Sequence, residues 1–536
     1  MRILISLLTL IITATTTAGA QPPKLVVNIV VGQMRYDHLA RFERNFGKGG
    51  FRRFNDRGVV FTNAWYNYMQ TLTSAGLATI TTGADPAVHG VVTDRWIDYT
   101  TGRLVGLIED EHARGVGCSG AGVGEYSPQH IVVPTLGDRL LEYDSGSRVV
   151  SIASDPLSAI VMGGQHGTTF WLDDQRGCWM SSNAYMDRLP QWVTDYNNLR
   201  VAQGYLNYTW RPLLDKDRYV NTVYSAINVT PDSRLRRIAG SSRSGRNGID
   251  RDYERLLFQP VGNTMVAEFA KHAIEHERLG QGAHTDMLYI CFDTPRFIGQ
   301  MYGPESMEME DMFYRLDAEI ALLLEFIGTK VDMNDVVVVL TAAHGISDSF
   351  DHGRAPRDRF NAAQFRMIVN AFMNAQYGEG DWVLDYIDRQ LYLDRNLIFR
   401  SGLSLEEVQN RVASFALQFR GVSHVLTSTA MQSGYFGGSY AEKMQNSFYP
   451  RRGGDLTINL MPGWIEERTG VRAASGSMYA YDTHVPLMML GPKFFGQRIS
   501  RTVNMRDLAP TLAVMMQISR PVAAKGEAME DIVRMY

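Results

Sequence analysis

Two adjacent hydroxyls open the stretch Leu72–Gly83, LTSAGLATITTG, and are the first residues in the chain placed to do chemistry. The pattern reads as a turn followed by a short helix, with Thr73 or Ser74 as its cap. A helix start carries free backbone N–H groups and the positive end of the dipole, which favour an anion. A hydroxyl held there is a candidate nucleophile toward a phosphorus or sulfur ester. An ordinary N-cap explains an isolated T-S-A-G equally well, so the neighbouring elements have to decide. Two histidines sit where such elements meet: His344 in Thr341-Ala342-Ala343-His344-Gly345, and His484 in Tyr481-Asp482-Thr483-His484.

Each of these groups borders an apolar run. Leu25–Val31 (LVVNIVV) is continuous and β-branched, as buried parallel strands are. Gly32-Gln33-Met34-Arg35-Tyr36-Asp37 follows its C-terminal end, where open α/β sheets place their sites. Met287–Phe292 and Val336–Leu340 read as further core strands, the second ending at His344, and Val485–Leu490 begins just after His484. Met312, Leu316, Ile320, Leu323, Leu324 and Ile327 recur at helical spacing. Ser404-Leu405-Glu406-Glu407 opens a helix with a capping-box pattern, and Asn504–Ile518 reads as a closing helix. Strands alternating with helices predict an α/β/α sandwich around a mostly parallel sheet. Two irregular stretches, about 85–283 and 348–480, interrupt the alternation and are expected to be cap insertions, the first containing one further strand at Val149–Ile152.

The chain has 536 residues, 45% hydrophobic and 21% charged, with a net charge of −4 and no basic run, which argues against nucleic acid as a partner. Arg2, the apolar run Ile3–Ile12 and Ala18-Gly19-Ala20 form a secretory leader pattern over residues 1–20. The expected product is a periplasmic or secreted protein cleaved near Ala20, with no transmembrane segment. Of three cysteines, Cys118 and Cys178 are the expected pair for a disulfide, because Cys291 lies inside an apolar strand.

Motifs spread along the chain resemble the alkaline phosphatase superfamily, most closely its bacterial secreted phosphomonoesterase branch with a threonine nucleophile, related to type I phosphodiesterases and nucleotide pyrophosphatases. They include Gly32-Gln33-Met34-Arg35, the Thr73 turn, Pro86-Ala87-Val88-His89-Gly90, Gly303-Pro304-Glu305-Ser306, Thr341-Ala342-Ala343-His344-Gly345, Tyr449-Pro450-Arg451-Arg452 and Asp482-Thr483-His484-Val485-Pro486. The resemblance implies the family's fold and a centre of two zinc ions that flank an in-line displacement.

Carried over position by position, the resemblance makes Thr73 the nucleophile and His344 and His484 metal ligands. The family's remaining metal-ligand positions fall on Gly32, Arg296, Gln300 and Ala343, none of which is a carboxylate or an imidazole. Its phosphate contacts, an Asn and a Lys–Arg pair, fall on Asp94, Asp155 and Leu157. Asp37, Asp293, Asp348, Asp351 and His352 lie near these motifs as candidate replacements. This inventory leads to an expectation of an inactive pseudophosphatase without a cofactor, acting through a protein partner in the cell envelope. The alternative is a phosphoric-ester hydrolase that uses Thr73 with an altered or single-metal site. If buried, Arg296 needs a counter-charge, with Asp94 expected first and Asp155 second; the alternative is that it points outward along the strand end and is hydrated.

Overall fold

The computed structural model describes residues 21–118, 123–221, 253–349, 359–438 and 440–536. The leader pattern lies outside them. A sheet of eleven strands forms the centre. Its middle is five parallel strands in the order Val336–Ala342, Leu25–Val31, Asp286–Phe292, Val149–Ala153, Thr168–Asp173. Every residue of the first three is buried, as expected of β-branched runs covered by helices on both faces. His484–Leu490 runs antiparallel beside Val336–Ala342, and Val59–Trp65 runs antiparallel beside that. The fold is the α/β sandwich around a mostly parallel sheet that the sequence implies.

Parallel strands carry their loops to the same edge, and there the chemistry-bearing turns converge. Gly32 follows Leu25–Val31, Asp293 follows Asp286–Phe292, and Ala343-His344 follows Val336–Ala342. The long helix Met307–Lys330 packs behind, its start capped by the Ser306 hydroxyl, which accepts from Met309 N–H. The closing element divides: a turn at Met505–Asp507 precedes the helix Leu508–Met515.

The first irregular stretch is largely part of the sandwich. Val149–Ala153, Thr168–Asp173, Cys178–Ser182 and Gly115–Val116 all join the main sheet, and helix Val261–His276 has ten buried residues. Short strands broken by Gly and Asp carry no long apolar run, so they look like loop in the sequence. The second stretch does form a separate layer. A four-stranded sheet, in the order Val383–Ile387, Gln390–Leu393, Leu456–Leu460, Val422–Thr427, packs with helices Ala362–Tyr377 and Leu405–Ala416 around its own core of Phe365, Val369, Trp382 and Ile458.

Candidate active site

Thr73 is the first residue of helix Thr73–Thr82, and Leu72 holds the cap position without a side-chain bond. The expected hydroxyl cap is therefore absent, and the Thr73 hydroxyl is free for another partner. That partner is His344: Thr73 Oγ1 lies 2.9 Å from His344 Nε2. His344 Nδ1 lies 2.7 Å from the Gly345 carbonyl oxygen, which can only accept. Nδ1 therefore carries the proton, and Nε2 accepts from the threonine hydroxyl. Burial pushes His344 down to about 4, with Arg296 nearby acting the same way, so the ring is neutral near pH 7.

Gly76 makes this contact possible. A Cβ at that position would lie 2.0 Å from the Ala343 carbonyl oxygen. Only glycine lets the helix settle on the strand end that carries His344.

Ser74 points to a different acid. Its hydroxyl donates to Asp94 Oδ1 at 2.5 Å, and burial pushes Asp94 up to about 6, helped by Asp388. Asp155 caps the helix Pro156–Gly163 by accepting from Leu157 N–H at 2.9 Å, and its other oxygen accepts from Arg296. The ranking of partners for Arg296 is thus reversed. Asp94 is taken by Ser74, and Asp155 makes the ion pair, with Asp293 3.9 Å away on the other side. Burial opposes the Arg296 charge, but Asp155, Asp293 and Asp94 together outweigh it and its pKa is raised.

His484 is not drawn to this group. Its Nε2 donates to the Thr62 carbonyl at 2.9 Å, and its ring stacks between Trp65 and Tyr36, with centroids 4.3 and 4.7 Å away. Nothing in the D-T-H motif foretells that aromatic sandwich. The candidate replacement acids have other work as well. Asp37 and Asp348 both bind Arg35. Asp293 accepts from the Ser154 and Ser158 hydroxyls and from Asp155 N–H. Asp351 and His352 lie outside the described residues.

The donor set does not fit the family's two-zinc arrangement. Gly32 has no side chain, and a Cβ there would stand 3.6 Å from the Arg296 Cβ and 3.2 Å from the Phe292 carbonyl oxygen. A guanidinium thus enters where the family has carboxylates. Ala343 offers no donor, and Gln300 lines a neighbouring cavity. Among the described residues, no three His, Cys, Asp or Glu side chains converge around Thr73; the one such group is Cys118, Asp173 and Cys178. Thr73 and His344 alone are fewer donors than a stable zinc site uses.

A model of the type I phosphodiesterase/nucleotide pyrophosphatase family matches residues 26–383. Alkaline phosphatase PafA of Elizabethkingia meningoseptica is 28% identical over 531 residues, 97% of this chain and 96% of that protein. Alkaline phosphatase PhoV of Synechococcus elongatus is 28% identical over 517 residues, 96% of this chain and 93% of that protein. A crystal structure of a multiply substituted PafA variant matches with a TM-score of 0.87 at 27% identity, covering 96% of this chain and 99% of that one. These matches correct two expectations. The leaning toward an inactive protein does not stand, because relatives that align from end to end bear the name alkaline phosphatase. The expectation of no cofactor falls with it, since the resemblance that the matches bear out is to a family that works with metals.

Proposed function

The chain belongs to the type I phosphodiesterase/nucleotide pyrophosphatase family of the alkaline phosphatase superfamily, and on that premise we propose that it hydrolyses phosphoric esters with Thr73 as nucleophile and His344 as general base. One observation carries the reading: the 2.9 Å contact of Thr73 Oγ1 with a histidine nitrogen that the Gly345 carbonyl keeps unprotonated. An unassisted threonine hydroxyl is a poor nucleophile, and a neutral imidazole in hydrogen-bond reach is the usual remedy.

In the first step Thr73 Oγ1 bonds to phosphorus, the ester P–O bond breaks, and the threonine proton passes to His344 Nε2. The leaving alkoxide takes a proton from water. In the second step the hydroxide so formed attacks the phosphothreonine, the P–Oγ1 bond breaks, His344 Nε2 returns the threonine proton to Oγ1, and phosphate leaves. Charge gathering on the phosphoryl oxygens meets the unpaired N–H groups that open helix Thr73–Thr82. Arg296, whose charge is felt at His344, supplies positive charge tempered by Asp155.

The leader pattern and the Cys118–Cys178 disulfide support an oxidising, extracytoplasmic location. No described helix is long and apolar enough to cross a membrane. We divide the mature chain into one catalytic sandwich and a cap over about 359–470. The hydrolase reading needs no protein partner.

Hydrolysis of p-nitrophenyl phosphate by the purified protein tests this, measured as isolated and again with Zn2+ added so that a metal demand is not mistaken for inactivity. Thr73→Ala should abolish turnover, and His344→Asn should lower kcat by about 10²–10⁴. Turnover that persists unchanged in Thr73→Ala, or none in the wild type under either condition, would sink the reading.

A further inference from the structure

Against the segment that leads into Thr73 lies a cavity of about 70 Å³, several times the space that one water needs. Leu72, adjacent to the nucleophile, lines one side, and Gln300 lines another. The opposite wall comes from the cap: Asp388 and Arg389, the two-residue turn between Val383–Ile387 and Gln390–Leu393, with Glu466 and Arg468. A hydrogen bond from Gln70 Nε2 to the Asp388 carbonyl, 3.4 Å, ties this turn to the segment leading into Thr73.

Arg389 is unusual in three respects. Its φ is +67°, following +43° at Asp388. Tight hairpins want glycine or asparagine at such angles, so an arginine there is held at a conformational cost. It is only 5% exposed. Its Nη1 is buried and has no hydrogen-bond partner. Two of the acids around it are engaged elsewhere. Arg468 binds both Asp388 and Glu466, and Glu466 also accepts from the Arg389 backbone N–H. Asp482 Oδ2 accepts from Ser477 N–H and hydroxyl, while its Oδ1 is buried without a hydrogen-bond partner. A buried guanidinium nitrogen without a partner costs free energy unless something fills its hydrogen-bonding position.

We propose that this cavity is an oxyanion subsite of the substrate cleft, in which the Arg389 guanidinium binds a phosphoryl or carboxylate group of the ester. It supplies from the cap a cation that Asp94, Asp155 and Leu157 do not supply from the sandwich. Describing the anion as part of a substrate rests on the hydrolase reading; the binding itself does not. A guanidinium presents paired donors that match the oxygens of either group.

Calorimetric titration of the full chain with inorganic phosphate tests the subsite apart from catalysis. The wild type should bind with a Kd on the order of 1 mM, and Thr73→Ala should keep that affinity. Arg389→Gln should weaken it by about tenfold or more. Arg389→Gly should lose binding equally while melting at or above the wild-type temperature, because glycine takes the turn without strain. Phosphate binding by Arg389→Gly equal to wild type, a fall in its melting temperature, or no binding to the wild type at about 50 mM would each overturn the proposal. Loss of hydrolysis in Thr73→Ala with phosphate binding retained would leave it standing, whatever becomes of the proposed chemistry.

Discussion

Arg296 shows how a single residue resets the electrostatics of this site. Its guanidinium is largely buried beside Asp155, with Asp293 within reach, and its central carbon lies 4.5 Å from the centre of the Phe297 ring. Removing one member of a buried ion pair leaves the other unpaired, which costs more than the pair itself contributes. Arg296→Ala should therefore destabilise the protein by about 3 kcal/mol, since Asp155 and the fully buried Asp293 lose their shared cation. The double variant Arg296→Met/Asp155→Leu should recover most of that loss, because it removes both charges together. Urea melts of the two variants check this, and equal losses in both would show that the charge pair is not what matters. The same residue scale governs the pH dependence of turnover. With His344 as the base, activity should fall on acidification through about 4, the value that burial imposes on it. An acid limb near the ordinary histidine range of about 6.5 would assign the base elsewhere.

Among the elements, the outer strands of the sheet depend on a covalent tie. Cys178 begins the strand Cys178–Ser182, which pairs on one side with Thr168–Asp173 and on the other with the two residues Gly115–Val116. The bond to Cys118 closes a loop of sequence separation 60 across that short edge. Loop closure of this size is worth about 2–4 kcal/mol by constraint of the unfolded chain. Cys118→Ser/Cys178→Ser, or the wild type in dithiothreitol, should unfold at lower denaturant by that amount; indifference to both would assign the edge's stability to the sheet alone. The pairing was legible because Cys291 sits in an evident core strand, which removes it from contention. The parallel strands were legible for the same reason, as unbroken apolar runs in Leu25–Val31 and Val336–Ala342. Thr168–Asp173 and Cys178–Ser182 were not, since mixed Thr, Trp and Ser residues joined by Asp174-Gln175-Arg176-Gly177 give neither a run nor a clean alternation. At the site, Thr73 and His344 stood out by motif, and the structure brings them together. Their contact depends on Gly76, whose role emerges only when the helix meets the Ala343 carbonyl. Arg389 carried no signal at all: an Asp-Arg pair lacks hairpin chemistry, and its burial is a product of the cap packing onto the sandwich.

Across the whole molecule, buried titratable groups oppose one another. His38, His89 and His344 are pushed by burial to about 3, 3 and 4, below the ordinary 6.5. A histidine depressed in the folded state contributes stability that is complete above about 6.5 and is lost as pH falls toward its folded value. Asp94, Asp317 and Asp482 are pushed by burial to about 6, 6 and 7, above the ordinary 3.8. Their contribution runs the other way, complete below about 3.8 and lost as pH rises through 6 to 7. Between pH 4.5 and 6 three groups therefore favour higher pH and three favour lower, each with a slope of up to about 1.4 kcal/mol per pH unit. Because the two sets nearly cancel, these six groups should leave stability almost level across that window, and single substitutions should unbalance it in opposite senses. His38 lies between Phe42 and Phe313 with neither ring nitrogen hydrogen-bonded, so phenylalanine suits its surroundings. His38→Phe removes one group that favours high pH, and this variant should gain stability relative to wild type as pH falls from 6 to 5. Asp482→Asn removes a group that favours low pH, and its stability relative to wild type should fall over the same interval. Thermal melts of the three proteins at about pH 5 and 6 would decide the matter. Parallel shifts in all three would mean that these side chains do not set the pH response of the fold.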